Sequence, residues 1–222
     1  MGRARTDANI IFEDDCIAVA YKPFGVLSEA HASSPNMQAI LRDLCGCEVY
    51  PVHRLDKTTE GLMVYAKTKD AAAKLSLAIQ QGQMQKTYLA LVEGTPDEYG
   101  ELCDLLYYDR QRGKSFVVKR ERRGVKEARL SYERLKTDEL SGTAVSLLKI
   151  CLLTGRTHQI RVQFASRKMP LVGDRRYGSH VPADNIALCA SELRFPHPVT
   201  GEELQFSCSQ SAFPCFSGQS EE

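Results

Sequence analysis

Short β-rich segments separated by turn residues fill the middle of this chain and constrain its fold more than any other feature. Each segment is rich in β-branched and aromatic residues or alternates in polarity, as strands do. The segments are Tyr88–Val92, Glu101–Tyr107, Ser115–Val118, Ala128–Arg134 and Ala144–Leu152. Helices are few, with predicted starts at Ser34, Thr68 and Thr157. This pattern predicts an α+β domain on a large, mixed and mainly antiparallel β-sheet with flanking helices.

The length of 222 residues suits one compact domain. We expect residues 1–216 to form that domain and residues 217–222 to be a disordered tail. No apolar run approaches the roughly 18 residues that a transmembrane helix needs, and the first residues lack a secretory signal. The sequence therefore predicts a cytoplasmic protein with no membrane contact.

Charge is balanced over the whole chain but uneven along it. The formal net charge is +1, yet residues 110–126 carry eight basic side chains and a single acidic one, Glu121. A local basic face on a neutral protein is typical of selective contact with a polyanion. A solvated hairpin with basic residues on an edge strand would give the same pattern, so both interpretations stay open here.

The eight cysteines do not form a disulfide or zinc pattern. Cys45 and Cys47 are too close for an ordinary bridge, no CxxC motif occurs, and the five histidines do not pair with cysteines at zinc spacing. We expect reduced thiols packed as small apolar side chains, and no structural metal.

Two polar clusters could carry chemistry. Residues 53–61 form a polar loop between apolar strands, with Asp56 between Arg54 and Lys57. Residues 154–161 follow an apolar strand and open a helix, where backbone donors and arginines favour anions. Taken singly, the first cluster also fits a surface turn and the second a capped structural helix.

The two clusters belong to an ordered set of motifs that runs through most of the chain. The motifs are Lys22–Gly25 (KPFG), His53–Gly61 (HRLDKTTEG), Gln85–Val92 (QKTYLALV), Gly155–Arg161 (GRTHQIR), Leu171–Gly178 (LVGDRRYG) and Arg194–Pro198 (RFPHP). In this order they resemble the motifs of the RluA-type pseudouridine synthases. The resemblance implies the pseudouridine synthase fold, whose mainly antiparallel sheet is bent, in a stand-alone catalytic domain without an S4-type RNA-binding domain.

The resemblance also implies a reaction, the isomerisation of uridine in RNA to pseudouridine. The N1–C1′ bond breaks and a C5–C1′ bond forms, without redox chemistry, so that no cofactor or metal is expected. Asp56 would be the nucleophile, at C6 or C1′ of the nucleotide, and the sequence does not decide between these atoms. Arg161 would hold that carboxylate charged, and Tyr88 would stack on the uracil and assist proton removal from C5.

The implied substrate is a uridine flipped out of a structured loop in rRNA or tRNA. Arg54 would fill the space that the base leaves. Further RNA contacts are expected from Arg156, His158, Leu188, Arg120 and Arg122. A monomer is expected.

Two positions depart from the family pattern, which usually has serine at Glu60 and histidine at Cys189. We expect the chemistry to survive, because neither position replaces Asp56, Tyr88 or Arg161. Two other functions remain as alternatives, an RNA-binding module without catalysis and a glycosidase-like hydrolase. A retaining glycosidase needs a second carboxylic acid, which among the other motifs only Asp174 could supply.

Overall fold

Strands dominate the described part of the chain, residues 8–208 of this computed structural model, and three α-helices interrupt them. The helices are α1 (Met37–Cys45), α2 (Lys69–Gln80) and α3 (Gln159–Ala165). The strands are β1 (Asn9–Glu13), β2 (Ile17–Lys22), β3 (Tyr50–Pro51), β4 (Glu60–Ala66), β5 (Gln85–Glu93), β6 (Tyr99–Asp109), β7 (Lys114–Val118), β8 (Val125–Leu140), β9 (Thr143–Leu152), β10 (Leu188–Pro196) and β11 (Glu203–Ser207). The chain divides into two compact units, whose described parts are residues 8–86 with 189–208, and residues 87–188.

In the first unit, β1, β2, β4 and β10 lie side by side in that order, while β3 also pairs with β4 and β11 with β10. These pairs are antiparallel except for β4 and β10, which run parallel with Glu60 opposite Cys189 and Gly61 opposite Ala190. Gly61 has φ +119°, and a Cβ there would lie 2.3 Å from the carbonyl oxygen of Ala190. Only glycine allows the two backbones to approach so closely.

The core of the first unit lies between its strands and α2. Thr68 caps α2, because its Oγ1 accepts a hydrogen bond from the backbone N–H of Ala71 at 3.1 Å. Ala71 and Leu75 of this helix are buried against apolar side chains from the strands. Those side chains are Ile17, Val19, Leu62, Val64, Leu193 and Phe195.

In the second unit, the strands lie in the order β5, β9, β8, β6, β7, and every neighbouring pair is antiparallel. Helix α3 packs against this meander, with Val162 buried beside Leu106, Ala128 and Tyr177. The predicted α+β class and the mixed, mainly antiparallel strand pairing are confirmed. The tail predicted at 217–222 lies outside the described residues.

Two of the three predicted helix caps are wrong. Helix α1 begins after Asn36, whose Oδ1 accepts from the N–H of Ala39 at 2.8 Å, and not after Ser34. Helix α3 begins after His158, which has φ +55° and gives no side-chain cap, and not after Thr157. Every helix within residues 8–208 is too short or too polar to cross a lipid bilayer.

Candidate active site

The polar loop between β3 and β4 presents Asp56 on a short, anchored turn. Leu55 and Thr59 on either side are buried, whereas Asp56 is half-buried. The carbonyl oxygen of Asp56 accepts a hydrogen bond from the N–H of Thr59 at 3.0 Å. The loop therefore holds a carboxylate at its surface on a backbone that its neighbours fix.

The segment after β2 clamps this loop on both sides of Asp56. The hydroxyl of Ser28 accepts from the N–H of Leu55 at 3.0 Å and donates to the carbonyl oxygen of Leu55 at 2.9 Å. The N–H of Gly25 donates to the carbonyl oxygen of Lys57 at 2.9 Å. Tyr65 Oη in turn donates to the carbonyl oxygen of Ser28 at 2.9 Å. The Gly25 bond joins the KPFG motif directly to this loop.

Lys22 at the end of β2 places a buried positive charge near this carboxylate. Its side chain is fully buried, and Nζ donates to the carbonyl oxygens of Pro23 at 3.0 Å and Val26 at 2.8 Å. Burial lowers the pKa of Lys22 to about 8, and the negative charges of Asp56 and Glu60 oppose that shift. Asp56 thus has a cationic neighbour within its own unit.

The first two residues of the HRLD motif have different environments. His53 is buried, its Nε2 accepts from the N–H of Val64 at 3.1 Å, and within the described residues its Nδ1 has no hydrogen-bond partner. Burial, with a smaller effect of Lys86, holds the pKa of His53 well below its usual range, so the ring is neutral. Arg54 is exposed and lies 3.6 Å from Glu29.

The two departures from the family pattern are neighbours in the first unit, because Glu60 pairs in register with Cys189. Burial raises the pKa of the Glu60 carboxyl, and its hydrogen bond with Tyr21 and the charge of Lys22 oppose this shift. Cys189 is almost fully buried. The replaced side chains therefore form one polar cluster next to the end of the Asp56 loop.

In the second unit, Arg161 on α3 is held by a buried carboxylate. Its Nε donates to Oδ2 of Asp174 at 2.6 Å and its Nη2 to Oδ1 at 2.9 Å, and both side chains are nearly inaccessible. The guanidinium also lies 5.1 Å from the centre of the Tyr177 ring. This two-point contact fixes the plane of the guanidinium. The predicted pairing of Arg161 with Asp56 stays a prediction.

Two further residues of the GRTHQIR motif, Arg156 and His158, make contacts within the second unit. Nδ1 of His158 lies 2.9 Å from the hydroxyl of Tyr177, and Nε of Arg156 donates to the carbonyl oxygen of Glu127 at 2.8 Å. Tyr88 on β5 and Leu188 at the start of β10 are both buried. The left-handed backbone of His158, φ +55°, precedes the first residue of α3.

The basic stretch of residues 110–126 forms turns around β7. Arg120 and Arg122 are exposed, and the guanidinium of Arg122 lies 4.6 Å from the centre of the Tyr107 ring. An open cleft of about 750 Å³ adjoins it. Its lining includes Tyr107, Tyr108, Arg110, Arg123, Lys126 and Arg156. Cations interleaved with tyrosines are suited to phosphates and unstacked bases.

One group of three side chains within residues 8–208 has metal-ligand chemistry: Asp14, Cys16 and His197. Asp14 Oδ1 accepts from the N–H groups of Cys16 at 2.7 Å and Ile17 at 2.8 Å, and Oδ2 lies 2.9 Å from His197 Nε2. Nδ1 of His197 accepts from the N–H of Thr200 at 3.1 Å. These hydrogen bonds account for the close approach of Asp14 and His197.

Comparison with known proteins identifies the family. The family model described as RNA pseudouridylate synthase matches residues 17–166, which contain Lys22, Asp56, Tyr88 and Arg161. The chain belongs to the RNA pseudouridylate synthase family. The predicted activity, isomerisation of uridine in RNA to pseudouridine, is thereby confirmed.

Similar pseudouridine synthases cover nearly the whole chain. An uncharacterized RNA pseudouridine synthase of Aquifex aeolicus is 38% identical over 91% of this chain and 69% of its own length. The tRNA pseudouridine synthase C of Vibrio parahaemolyticus is 31% identical over 93% of this chain and 92% of its own. The dual-specificity RNA pseudouridine synthase RluA of Haemophilus influenzae is 32% identical over 90% of this chain and 91% of its own length.

A solved structure supports the synthase fold. Human RNA pseudouridylate synthase domain containing 1 superposes with a TM-score of 0.79, covering 94% of this chain and 86% of that one, at 23% identity. The α+β fold of this synthase is therefore shared with a solved relative.

Sequence reasoning missed three residues that hold the synthase motifs in place. Ser28 and Lys22 support the Asp56 loop, and Asp174 orients Arg161. Lys22 and Asp174 lie within the recognised KPFG and LVGD motifs, so a search for buried charges in each motif could have found them. Ser28 had no such signal, because its bonds join residues 27 positions apart.

Proposed function

We propose that this synthase isomerises a flipped-out uridine in a structured RNA loop and that Asp56 is its nucleophile. The observation that carries the proposal is the clamped loop, in which Ser28 and Gly25 fix the backbone on both sides of Asp56. A fixed backbone limits the positions that the carboxylate can take, and orientation of this kind is a large part of enzymatic rate enhancement.

The charge environment of Asp56 supports this role. A carboxylate must be ionised to attack, and a nearby cation favours the ionised form. Lys22 is a cation of this kind in the first unit. Attack at C6 of the base and attack at C1′ of the sugar both agree with this environment.

We assign Tyr88 and Arg161 to the same reaction. Tyr88 stacks on the uracil and assists proton removal from C5, as the family resemblance implies. Arg161 stabilises the charged aspartate, and the contact with Asp174 supports this role because it presents the guanidinium in one orientation. Atoms balance without a cofactor, since the uracil loses its C5 proton and N1 gains one.

The RNA contacts follow from exposure and charge. Arg54 is exposed and its guanidinium makes a long contact, 3.6 Å, with Glu29, so it can enter the space of the flipped base. Arg120 and Arg122 bind phosphates, as exposed basic side chains do. Arg156, His158 and Leu188 complete the proposed substrate contacts.

The substrate that we propose is tRNA or ribosomal RNA. The relatives include enzymes named tRNA pseudouridine synthase C, ribosomal large subunit pseudouridine synthase D and a dual-specificity enzyme. We propose further that residues 1–216 act as one catalytic domain in a cytoplasmic monomer that needs no metal or cofactor.

The test compares Asp56→Asn with wild type on tRNA and ribosomal RNA transcripts. We expect no pseudouridine by mass spectrometry from the variant, because an amide is a far weaker nucleophile than a carboxylate, and unchanged RNA affinity in a filter-binding assay. Asp70→Asn on the exposed side of α2 is the matched control and should be fully active.

Three results would contradict the proposal. Substantial turnover by Asp56→Asn would remove this residue from the nucleophile role. Release of free uracil by the wild-type protein would indicate a glycosidase-like hydrolase. RNA binding by the wild type without any product from either RNA would indicate a binding module.

A further inference from the structure

Two cysteine sulfurs lie close to each other near Glu60. Sγ of Cys189 on β10 and Sγ of Cys208 are 3.8 Å apart. Cys208 follows the last residue of β11, and its N–H donates to the carbonyl oxygen of Ser191 at 2.9 Å. Cys189 is two residues from Ser191 and therefore lies on the same face of the strand. The contact is thus built by the register of β10 and β11.

We propose that Cys189 and Cys208 form an oxidation site, at which a hydroperoxide converts the two thiols into an intramolecular disulfide. This modification is independent of the proposed uridine chemistry. The sulfurs must move from 3.8 Å to a bond length of about 2.05 Å. Cys208 can supply that movement, because it lies beyond the last residue pair of the β11 ladder, where the bond from its N–H to Ser191 holds it to β10.

The hydrogen bonds give the two thiols different roles. Cys208 Sγ can donate to the carbonyl oxygen of Ala190 at 3.7 Å, which leaves its sulfur to accept from the thiol of Cys189. In agreement, the hydrogen bond between them raises the pKa of the Cys189 thiol and lowers the pKa of the Cys208 thiol. Cys208 is also the more accessible of the two. Cys208 is therefore the thiol that an oxidant meets first.

The reaction takes two balanced steps. The thiolate of Cys208 attacks one oxygen of hydrogen peroxide, the O–O bond breaks, and sulfenic acid and hydroxide form. The sulfur of Cys189 then attacks the sulfenic sulfur, an S–S bond replaces the S–O bond, and the thiol proton leaves with the hydroxyl group as water. Two thiols lose two electrons, and peroxide is reduced to water. A thiol reductant reverses the change.

The test uses the reduced full-length chain, hydrogen peroxide in slight excess, alkylation and peptide mass spectrometry. Trypsin cleaves at Arg194 and so separates Cys189 from Cys208, but Cys208 shares its peptide with Cys215. We expect most molecules to yield a crosslinked pair of peptides lacking two hydrogen atoms, and dithiothreitol to restore both alkylated peptides.

Two serine variants form a matched pair. Cys208→Ser should abolish the crosslink and leave Cys189 reduced, whereas Cys215→Ser on the same peptide should crosslink as wild type does. Both variants keep Cys189 and the buried end of β10 intact. A crosslink that survives in Cys208→Ser would overturn the proposal. So would oxidation of wild-type Cys208 to sulfinic acid without any crosslink.

Discussion

Lys22, Arg161 and Asp174 are three charged side chains that are almost fully buried in this synthase, and their surroundings compensate for the lost hydration differently. Asp174 and Arg161 compensate each other through a two-point ion pair. Lys22 relies on two backbone carbonyl oxygens and on the more distant charges of Asp56 and Glu60. Removing one partner of a buried pair leaves an uncompensated charge, so single substitutions here are informative.

Asp174→Asn should therefore destabilise the fold and weaken the two-point contact that orients the guanidinium of Arg161. We expect the free energy of unfolding to fall by about 3–5 kcal/mol, measured by urea denaturation. Asp70→Asn breaks the exposed pair with Lys74 and should change it by less than about 0.5 kcal/mol. Equal effects of the two substitutions would contradict a special role for the buried pair.

His53 predicts sensitivity to acid. The folded state keeps this histidine neutral, whereas the unfolded chain protonates it below about pH 6.5, so its contribution to stability is lost as the pH falls. Glutamine at this position can still accept from the N–H of Val64. Between pH 6.5 and 5, the free energy of unfolding of the wild type should therefore fall by roughly 1–2 kcal/mol more than that of His53→Gln. Parallel pH profiles in urea denaturation would refute this.

At the scale of elements, the parallel pair of β4 and β10 depends on one glycine. Gly61→Ala combines a strained backbone with a Cβ only 2.3 Å from a backbone oxygen of Ala190, so the strands must separate. We expect a loss of about 3 kcal/mol or more in urea denaturation.

Gly46→Ala at the end of α1 is the control for that substitution. Gly46 also has a positive φ, +66°, but a Cβ there would meet nothing within 4 Å. It should cost only about 1–2 kcal/mol. A similar loss in both variants would show that strain, and not the close approach to β10, limits residue 61.

Sequence patterns predicted the elements better than their ends or their partners. Alternation of polarity depends on neighbouring residues, so the strands from Thr87 onward were predictable. The cap at Thr68 is also local, because it joins residues three positions apart. His158 at the start of α3 meets Tyr177, and the clamp beside Asp56 joins Ser28 to Leu55. Contacts of this kind join distant parts of the chain, and no local pattern encodes them.

At the scale of the whole molecule, RNA binding must come from where the charge lies, because the net charge is only +1. Arg120→Glu with Arg122→Glu should weaken RNA affinity and reduce the slope of log affinity against log salt by roughly 1–2, since each phosphate contact contributes about 0.7–0.9. Titration of RNA at several salt concentrations measures both.

Charge reversal of Lys69 and Lys74 on α2 changes the net charge equally and is the control. These two lysines are also exposed, so general repulsion of RNA would affect both double variants alike. A smaller slope of log affinity against log salt in the Arg120 and Arg122 variant alone would support phosphate contacts by the basic stretch. An equal reduction of the slope in both double variants would contradict them.

The parallel pairing of β4, the strand after the Asp56 loop, with β10 has a consequence for synthesis of the protein. Glu60 and Cys189 are opposite each other on β4 and β10, although more than half of the chain separates them. The ribosome must therefore release the chain through β10 before β4 can gain its parallel neighbour. Until then the unit that contains Asp56 is incomplete, so a translation product truncated before β10 would carry Asp56 without the strand that pairs with β4.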